Sequence, residues 1–390
     1  MTAGLLIVNT AAWGGQLKVT PSIGASTKYD DNITYKSNNA IDDFIFTLTP
    51  GLNMSYDTGI TKFNFKADMD VRRYLSESRY DNESYRLNLS FQHLVTERMS
   101  LGLNGSYTAD TTLDSELEET GYVSSRSNRE YFSGGAALQY RLTELTSVGL
   151  GYNRSRSNYD GPNTVDSDSE SVSLSYSTYF NDGLDSLSIS PYYSTSSSTA
   201  SDVNTYGLSV GMSHIFSERL YLSFSIGARY TETERDLPRI VLVTTPIPHL
   251  EIRPFRDTAY NWGTTGDLTL TYEGDQWSAN FGYNRGLNYT DQGDAVDTQT
   301  FRAGASYHLT ERLTGRINGS VYQNSSEEEG RIDAWRYQIN PGLSYVLTEN
   351  ANLDFNYSFS YSEDDTQNGD GDVTRHQVVL SFRYNFPLEY

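Results

Sequence analysis

Segments of about a dozen residues, in which every second side chain is apolar, follow one another in pairs along nearly the whole chain. One pair reads Tyr85-Arg86-Leu87-Asn88-Leu89-Ser90-Phe91-Gln92, breaks at Val95-Thr96-Glu97-Arg98, and resumes as Met99-Ser100-Leu101-Gly102-Leu103-Asn104-Gly105-Ser106-Tyr107. Successive side chains of a strand point to opposite faces, so each segment has one apolar face and one polar face. A soluble β-sandwich alternates too. Here, however, the polar face carries Arg, Asn and Ser in segment after segment, and the apolar face carries Leu, Phe and Tyr. Lipid outside and a wet lumen inside call for that distribution, which is the pattern of a transmembrane barrel.

Composition agrees. The 390 residues include 31 Tyr and 16 Phe, side chains that favour strands and form girdles at both membrane interfaces. No Pro-rich or Ser/Gly-rich linker separates two cores. There is no Cys, which removes disulfide, iron–sulfur and thiol chemistry and leaves the compartment open. A net charge of −21 argues against nucleic acid as a partner. Mean hydropathy is negative and no apolar run is long enough for a helical span, a test that barrels escape because half their strand residues face water. Gly4-Leu5-Leu6-Ile7-Val8 followed by Thr10-Ala11-Ala12 reads as the tail of a secretory signal, or else as an N-terminal extension, so residues 1–14 are set apart from a single barrel at 15–390.

Eight short breaks each separate two alternating segments: 57–59, 96–98, 143–145, 181–183, 217–219, 274–276, 310–312 and 348–350. They hold turn formers whose side chains bond their own backbone. Eight hairpins, one strand before them (about 16–28) and one after (about 373–386) give eighteen strands, with both chain ends on one side. The remaining connections are long and polar: 29–43, 75–82, 110–128, 159–167, 197–202, 231–258, 289–298, 325–334 and 363–372. Short turns on one rim and long loops on the other are the outer-membrane asymmetry, whereas a sandwich would carry similar turns on both. The fold class expected is therefore all-β, a transmembrane antiparallel up-and-down β-barrel of about 18 strands.

A barrel of this size leaves an aqueous channel unless something fills it, and no segment here is long or apolar enough for a separate plug domain. The alternation points Lys62, Lys66, Arg72, Arg86, Arg141, Arg229, Arg302, Arg316, Arg336 and Arg383 inward, with the acids Asp68, Asp70, Asp267 and Asp354. The acidic balance must then sit mostly in loops, at 114–119, 166–170, 327–329 and 364–372. Two readings of the inward cations stand open. They bind or pass anionic solute, since guanidinium forks suit carboxylate and phosphate; or they pair with inward acids and stiffen the wall. Tyr74, Tyr131, Tyr221 and Tyr322 are inward aromatics that would favour sugar passage if stacked along an open lumen.

The longest connection, 231–258, has an apolar middle from Ile240 to Leu250, an anomaly for an exposed loop. It either folds inward as a constriction lined by Arg239, Arg253 and Arg256, docks on a partner, or extends its two strands as a hairpin, with Pro238, Pro246, Pro248 and Pro254 limiting a long ladder. Catalytic and metal signals fall away. Gly207-Leu208-Ser209-Val210-Gly211 matches a nucleophile-elbow pattern but sits inside an alternating strand. His93, His214, His249, His308 and His376 are scattered. Asp364-Asp365-Thr366-Gln367-Asn368-Gly369 faintly resembles a calcium loop but has Arg375 where a bidentate Glu is needed. No catalytic residue, cofactor or metal site is assigned, and the chain is not expected to be an enzyme.

The last strand alternates Leu380, Phe382, Tyr384 and Phe386 with Ser381, Arg383 and Asn385, similar to the C-terminal assembly signal of bacterial outer-membrane barrels, with Pro387-Leu388-Glu389-Tyr390 added beyond it. The Tyr-rich strands, the Thr-Glu-Arg hairpins at 96–98 and 310–312, and the Arg-Tyr-Asn-Phe ending at 383–386 resemble the outer-membrane barrels of the β-barrel porin 2 family, over most of the chain from Gln16. Members of that family often accompany exopolysaccharide export, and the resemblance implies a pore for an exported polymer. The expected function is a porin-like channel in the bacterial outer membrane passing hydrophilic solute, of which exopolysaccharide is one candidate. The alternative is a structural or docking barrel whose external loops bind a partner. Expected partners are outer-membrane lipid and lipopolysaccharide, and, for a polymer pore, polysaccharide and periplasmic export components. The barrel is expected to be a monomer.

Overall fold

The computed structural model describes residues 15–123, 126–161, 164–243, 249–293, 295–326, 332–364 and 371–389. The signal-like segment 1–14 and residues 365–369 of the calcium-like run lie outside them. Eighteen long antiparallel strands follow in chain order: β1 (Gln16–Asp30), β2 (Asp43–Asp57), β3 (Thr61–Tyr74), β4 (Asn82–Thr96), β5 (Met99–Thr111), β6 (Asn128–Arg141), β7 (Thr146–Asp160), β8 (Ser167–Phe180), β9 (Asp185–Ser198), β10 (Ser201–Ser217), β11 (Leu220–Val243), β12 (His249–Glu273), β13 (Trp277–Tyr289), β14 (Ala295–His308), β15 (Leu313–Ser326), β16 (Asp333–Thr348), β17 (Ala351–Asp364) and β18 (Val373–Asn385). Each pairs with its chain neighbour, and β18 returns to β1 from Ser22↔Asn385 to Asp30↔Gln377. The sheet is closed, so the backbone polar groups of one edge are met by the other. Leu388–Glu389 adds two pairs to β1 beyond Pro387.

The Thr-Glu-Arg signal has a direct structural cause. Thr96 Oγ1 accepts from the N–H groups of Arg98 and Met99, Thr143 Oγ1 from Leu145 and Thr146, and Thr310 Oγ1 from Arg312 and Leu313. One hydroxyl thus fixes a tight hairpin by bonding its own turn. The ladder slips by a residue just before three of the eight short turns, at Leu94/Thr96, Ile215/Ser217 and Val346/Thr348. Such bulges at a barrel rim sharpen the strand twist.

The outer face is a belt of exposed apolar side chains, among them Phe46, Leu48, Leu89, Phe132, Leu150, Leu174, Leu208, Ile226, Leu343 and Phe355. Aromatic rings border it on both sides. Tyr193 meets Tyr206, and Tyr230 meets Tyr260 and Trp262, on the long-loop side; Tyr272 meets Trp277 and Tyr384 meets Phe386 on the short-turn side. Trp262 is 79% exposed. A soluble protein would not leave this belt uncovered. A closed barrel with such a belt between two aromatic girdles is an outer-membrane barrel, and the chain resides in the bacterial outer membrane.

Two features depart from a plain meander. Residues 231–243 and 249–258 do not form a loop folded into the lumen. β11 and β12 run through it as one unbroken ladder to Val243↔His249, with Pro238 opposite Pro254 and Arg239 opposite Arg253. Proline is tolerated because these are the outer ends of the two strands and their far edges pair with nothing there. The hairpin reading is therefore the one realised, and the inward constriction expected of Arg239, Arg253 and Arg256 is corrected. Second, the β12–β13 ladder covers only Gly266–Glu273 against Ser278–Arg285. Beyond it β14 is buried at Ala295, Val296, Thr298 and Thr300, and Asp297 takes an ion pair from Arg229 of β11. The upper β13–β14 arm thus lies inside the β11–β12 hairpin.

Candidate functional site

The lumen is crossed by the β5–β6 connection. Thr112 N–H donates to Ser127 O and closes the base of this loop. Its tip holds a five-residue helix, α1 (Glu116–Thr120), which ends at Gly121 with φ 78°. A Cβ at Gly121 would fall 2.4 Å from the ring of Tyr322, so the left-handed backbone and the close approach both require glycine. Leu113 and Leu117 are buried although they belong to an acidic external loop.

The tip of the loop reaches the far wall. From β5 to β15 is ten steps round a ring of eighteen, close to diametrically opposite. Tyr322 Oη donates to Glu118 O at 2.7 Å, Asn324 Nδ2 to Thr120 O at 3.1 Å, and Arg336 Nη1 to Leu117 O at 2.7 Å. The Glu118 and Thr120 carbonyls at the end of α1 are thus met by donors from β15, while Arg336 of β16 adds a charged donor to the Leu117 carbonyl, which also accepts from Gly121 N–H. Arg336 Nη2 also pairs with Glu118 at 2.6 Å, and both Arg336 and Arg302 lie over the Tyr322 ring.

The near end is anchored by charge. Asp114 pairs with Arg72 of β3 at 2.6 Å and accepts from Thr111 Oγ1 at 2.7 Å. Arg129 of β6 approaches Glu119 at 3.2 Å and Glu116 at 3.6 Å, and Tyr159 Oη of β7 donates to Glu116 at 3.0 Å. Arg126 donates to Ile33 O and to Tyr74 Oη, tying the strap to the β1–β2 connection. The β13–β14 connection closes in from another side, with Val165 N–H donating to Asp291 O and Ser201 Oγ to Gly293 O.

Two of the acids at the near end of the strap titrate in opposite directions. Burial tends to raise Asp114, but Arg72, Lys28 and the Thr111 hydroxyl outweigh it and hold the carboxyl at about 2. Burial dominates at Glu116 and pushes it up to about 7; Arg129 and Tyr159 oppose that, while Asp291 and Glu119 add to it. A carboxyl raised on docking favours the docked strap at low pH and loses that contribution as pH climbs from its ordinary 4.5 through about 7. Asp114 acts the other way, only at far lower pH. Single-channel conductance is therefore expected to rise between pH 5 and pH 8, and Glu116→Gln to flatten the rise. A profile unchanged by Glu116→Gln would remove Glu116 as its origin.

The ten inward cations all stand on the face opposite the apolar belt, and most are paired. Lys66 and Arg383 approach Asp68, Arg72 and Arg86 share Asp70, and Arg229 and Arg285 share Asp297. Arg336 holds Glu118, Arg316 bonds Asn356 and approaches Asp354, and Lys62 meets Asp57 at 3.7 Å in an exposed contact of little strength. Arg302 bonds the Tyr322 hydroxyl. Among these ten, Arg141 and Arg302 have no ion pair among the described residues. Arg256 is an exposed partner of Asp202 and Glu234, while the side chains of Arg239 and Arg253 lie outside the described residues. Tyr74, Tyr131 and Tyr322 are engaged by Arg126, Arg129, Arg302 and Arg336 around the strap, and Tyr221 is exposed beside the short-turn rim.

The strap itself escaped the sequence reading, which took 110–128 as one more acidic loop. Its signal was present as Leu113 and Leu117, four apart in an otherwise polar stretch and followed by Gly121.

Among curated proteins none matches the chain. Solved structures similar to it include a BenF-like porin from Pseudomonas fluorescens Pf-5, at 10% identity over 96% of this chain and 99% of that one, TM-score 0.49. OccAB4 of Acinetobacter baumannii is 11% identical over 96% and 98%, TM-score 0.49. The ferric-catecholate import receptor Fiu of E. coli K12 is 9% identical over 94% and 81%, TM-score 0.49. At that distance none of their solutes or partners carries over. A family model does match, over residues 12–169 and 253–375, more than two thirds of the chain; it is not the β-barrel porin 2 family that the hairpins and ending resemble, and its description does not mention exopolysaccharide. The chain belongs to the family described as "Putative MetA-pathway of phenol degradation".

Proposed function

We propose that this porin-like barrel is a channel for small hydrophilic solutes, with the strap 112–127 as its constriction. The observation that carries the reading is the set of bonds from α1 to Tyr322, Asn324 and Arg336 on the opposite wall. A loop held at both ends across the lumen narrows a pore while leaving the wall intact. It suits small molecules better than an extended exopolysaccharide, which would need the strap to leave and would gain little from tyrosines already covered by arginine. The family description adds a phenol-degradation setting, which makes small aromatic solutes the first to try.

Liposome swelling tests the reading. Proteoliposomes are expected to swell rapidly in a pentose, slowly in a disaccharide and hardly at all in a tetrasaccharide. Equal rates for all three would favour a polymer pore, and no swelling in any of them would favour a docking barrel.

A further inference from the structure

Arg141 and Arg302 are the two inward cations without an ion pair among the described residues, and of these Arg302 is engaged by Tyr322. Arg141 borders a hollow of about 540 Å³ in the inner wall, together with Lys62, Gln92, Ser100 and Gln139. The hollow exists because of two small residues. Lys62, Gln92, Gly102 and Ala137 form one continuous row across β3, β4, β5 and β6, and Ser100 and Gln139 face each other in the next row but one. At Gly102 and Ala137 the row has almost no side chain, so the wall dips between a cation on either side.

We propose that this recess, near the short-turn rim and away from the strap, is a binding site for a small organic carboxylate. The assignment deepens the channel reading above and rests on it. The Arg141 guanidinium offers a planar fork that matches a carboxylate. The amides of Gln92 and Gln139 and the hydroxyl of Ser100 supply neutral donors, and Lys62 supplies a second positive charge across the hollow. Lys62 has only its exposed contact with Asp57 to give up. Elsewhere on the wall the same chemistry is already spent, since Arg72, Arg86 and Lys66 hold Asp114, Asp70 and Asp68. An adjoining hollow of about 230 Å³ shares Arg141, Gln139 and Ser100 and adds Arg98, Glu144 and Ser147. Its one carboxylate, Glu144, is outnumbered there by Arg98 and Arg141, so the region keeps an excess of positive charge.

Currents carried by sodium benzoate and by sodium chloride in planar bilayers, with the full chain, provide the test. The benzoate current is expected to saturate with concentration. Arg141→Gln should raise the half-saturating concentration by roughly tenfold, and Arg141→Lys should restore part of the loss. Ala137→Leu, which fills the hollow without touching a charge, should weaken saturation as well, and it keeps the test alive should Arg141→Gln fail to assemble. A benzoate current strictly proportional to concentration, or half-saturation unmoved by Arg141→Gln and by Ala137→Leu, would overturn the site while chloride conductance upheld the channel. No current in either salt would overturn the channel reading, and the site with it.

Discussion

Replacing residues 113–126 with a short Gly-Ser turn is expected to raise single-channel conductance several-fold and to abolish its dependence on pH. The replaced segment contains α1, Asp114 and Glu116, hence every contact that reaches β15 and β16 from the near wall. The barrel should survive, because its ladder is closed without the loop and closure entropy changes slowly with loop length. A milder version is Arg336→Met. Arg336 is 2% exposed and bonds both the Leu117 carbonyl and Glu118. Its loss leaves the Leu117 carbonyl with only its bond from Gly121 N–H and takes the buried cation from Glu118; bonds to a charged donor contribute roughly 1.5–3 kcal/mol, enough to release a loop held by a handful of bonds. Noisy conductance with long wide-open intervals is the expected trace. Conductance in the folded deletion variant equal to that of the parent would place the strap outside the conducting path, and the docking alternative would then gain.

The second large effect concerns the outer face. Leu89→Arg should destabilise the barrel by roughly 2–4 kcal/mol in lipid vesicles, while Asn88→Arg, one residue away, should cost far less. Leu89 is exposed in the apolar belt and faces Phe65 on β3 and Gly105 on β5, so an arginine there would sit in hydrocarbon. Asn88 lies opposite Lys66 and Ser106 on the lumen face, where water solvates the added charge, at the expense only of repulsion from Lys66. The check is the urea midpoint of folding, read by the heat-dependent shift of the band on a gel. Equal losses at the two positions would reverse the inside–outside assignment on which the lumen description depends.

Strand number, strand phase and the polarity of the two rims were all legible in the chain. Alternation at Tyr85–Phe91 or Leu380–Phe386 reports which face meets lipid, because a period of two is a property of neighbouring residues alone. The Thr-Glu-Arg turns were legible for the same reason, since Thr96 bonds N–H groups only two and three positions on. The alternation assigned the cations a face, but their partners were not visible. Arg336 meets Glu118 across 218 residues, and Arg229 meets Asp297 across 68. Nor could composition choose which long loop enters the lumen. The apolar 240–250 stretch looked the better candidate, yet its described residues, 240–243 and 249–250, continue the wall as the ends of β11 and β12, while the acidic 112–127 loop goes inside. The sequence by itself determined the barrel, because local alternation and closure of the ladder suffice for that. Only the tertiary structure decided which loop meets the opposite wall, because contacts across a lumen depend on how the closed ring carries β15 and β16 round to face the β5–β6 loop, and no local pattern records that distance.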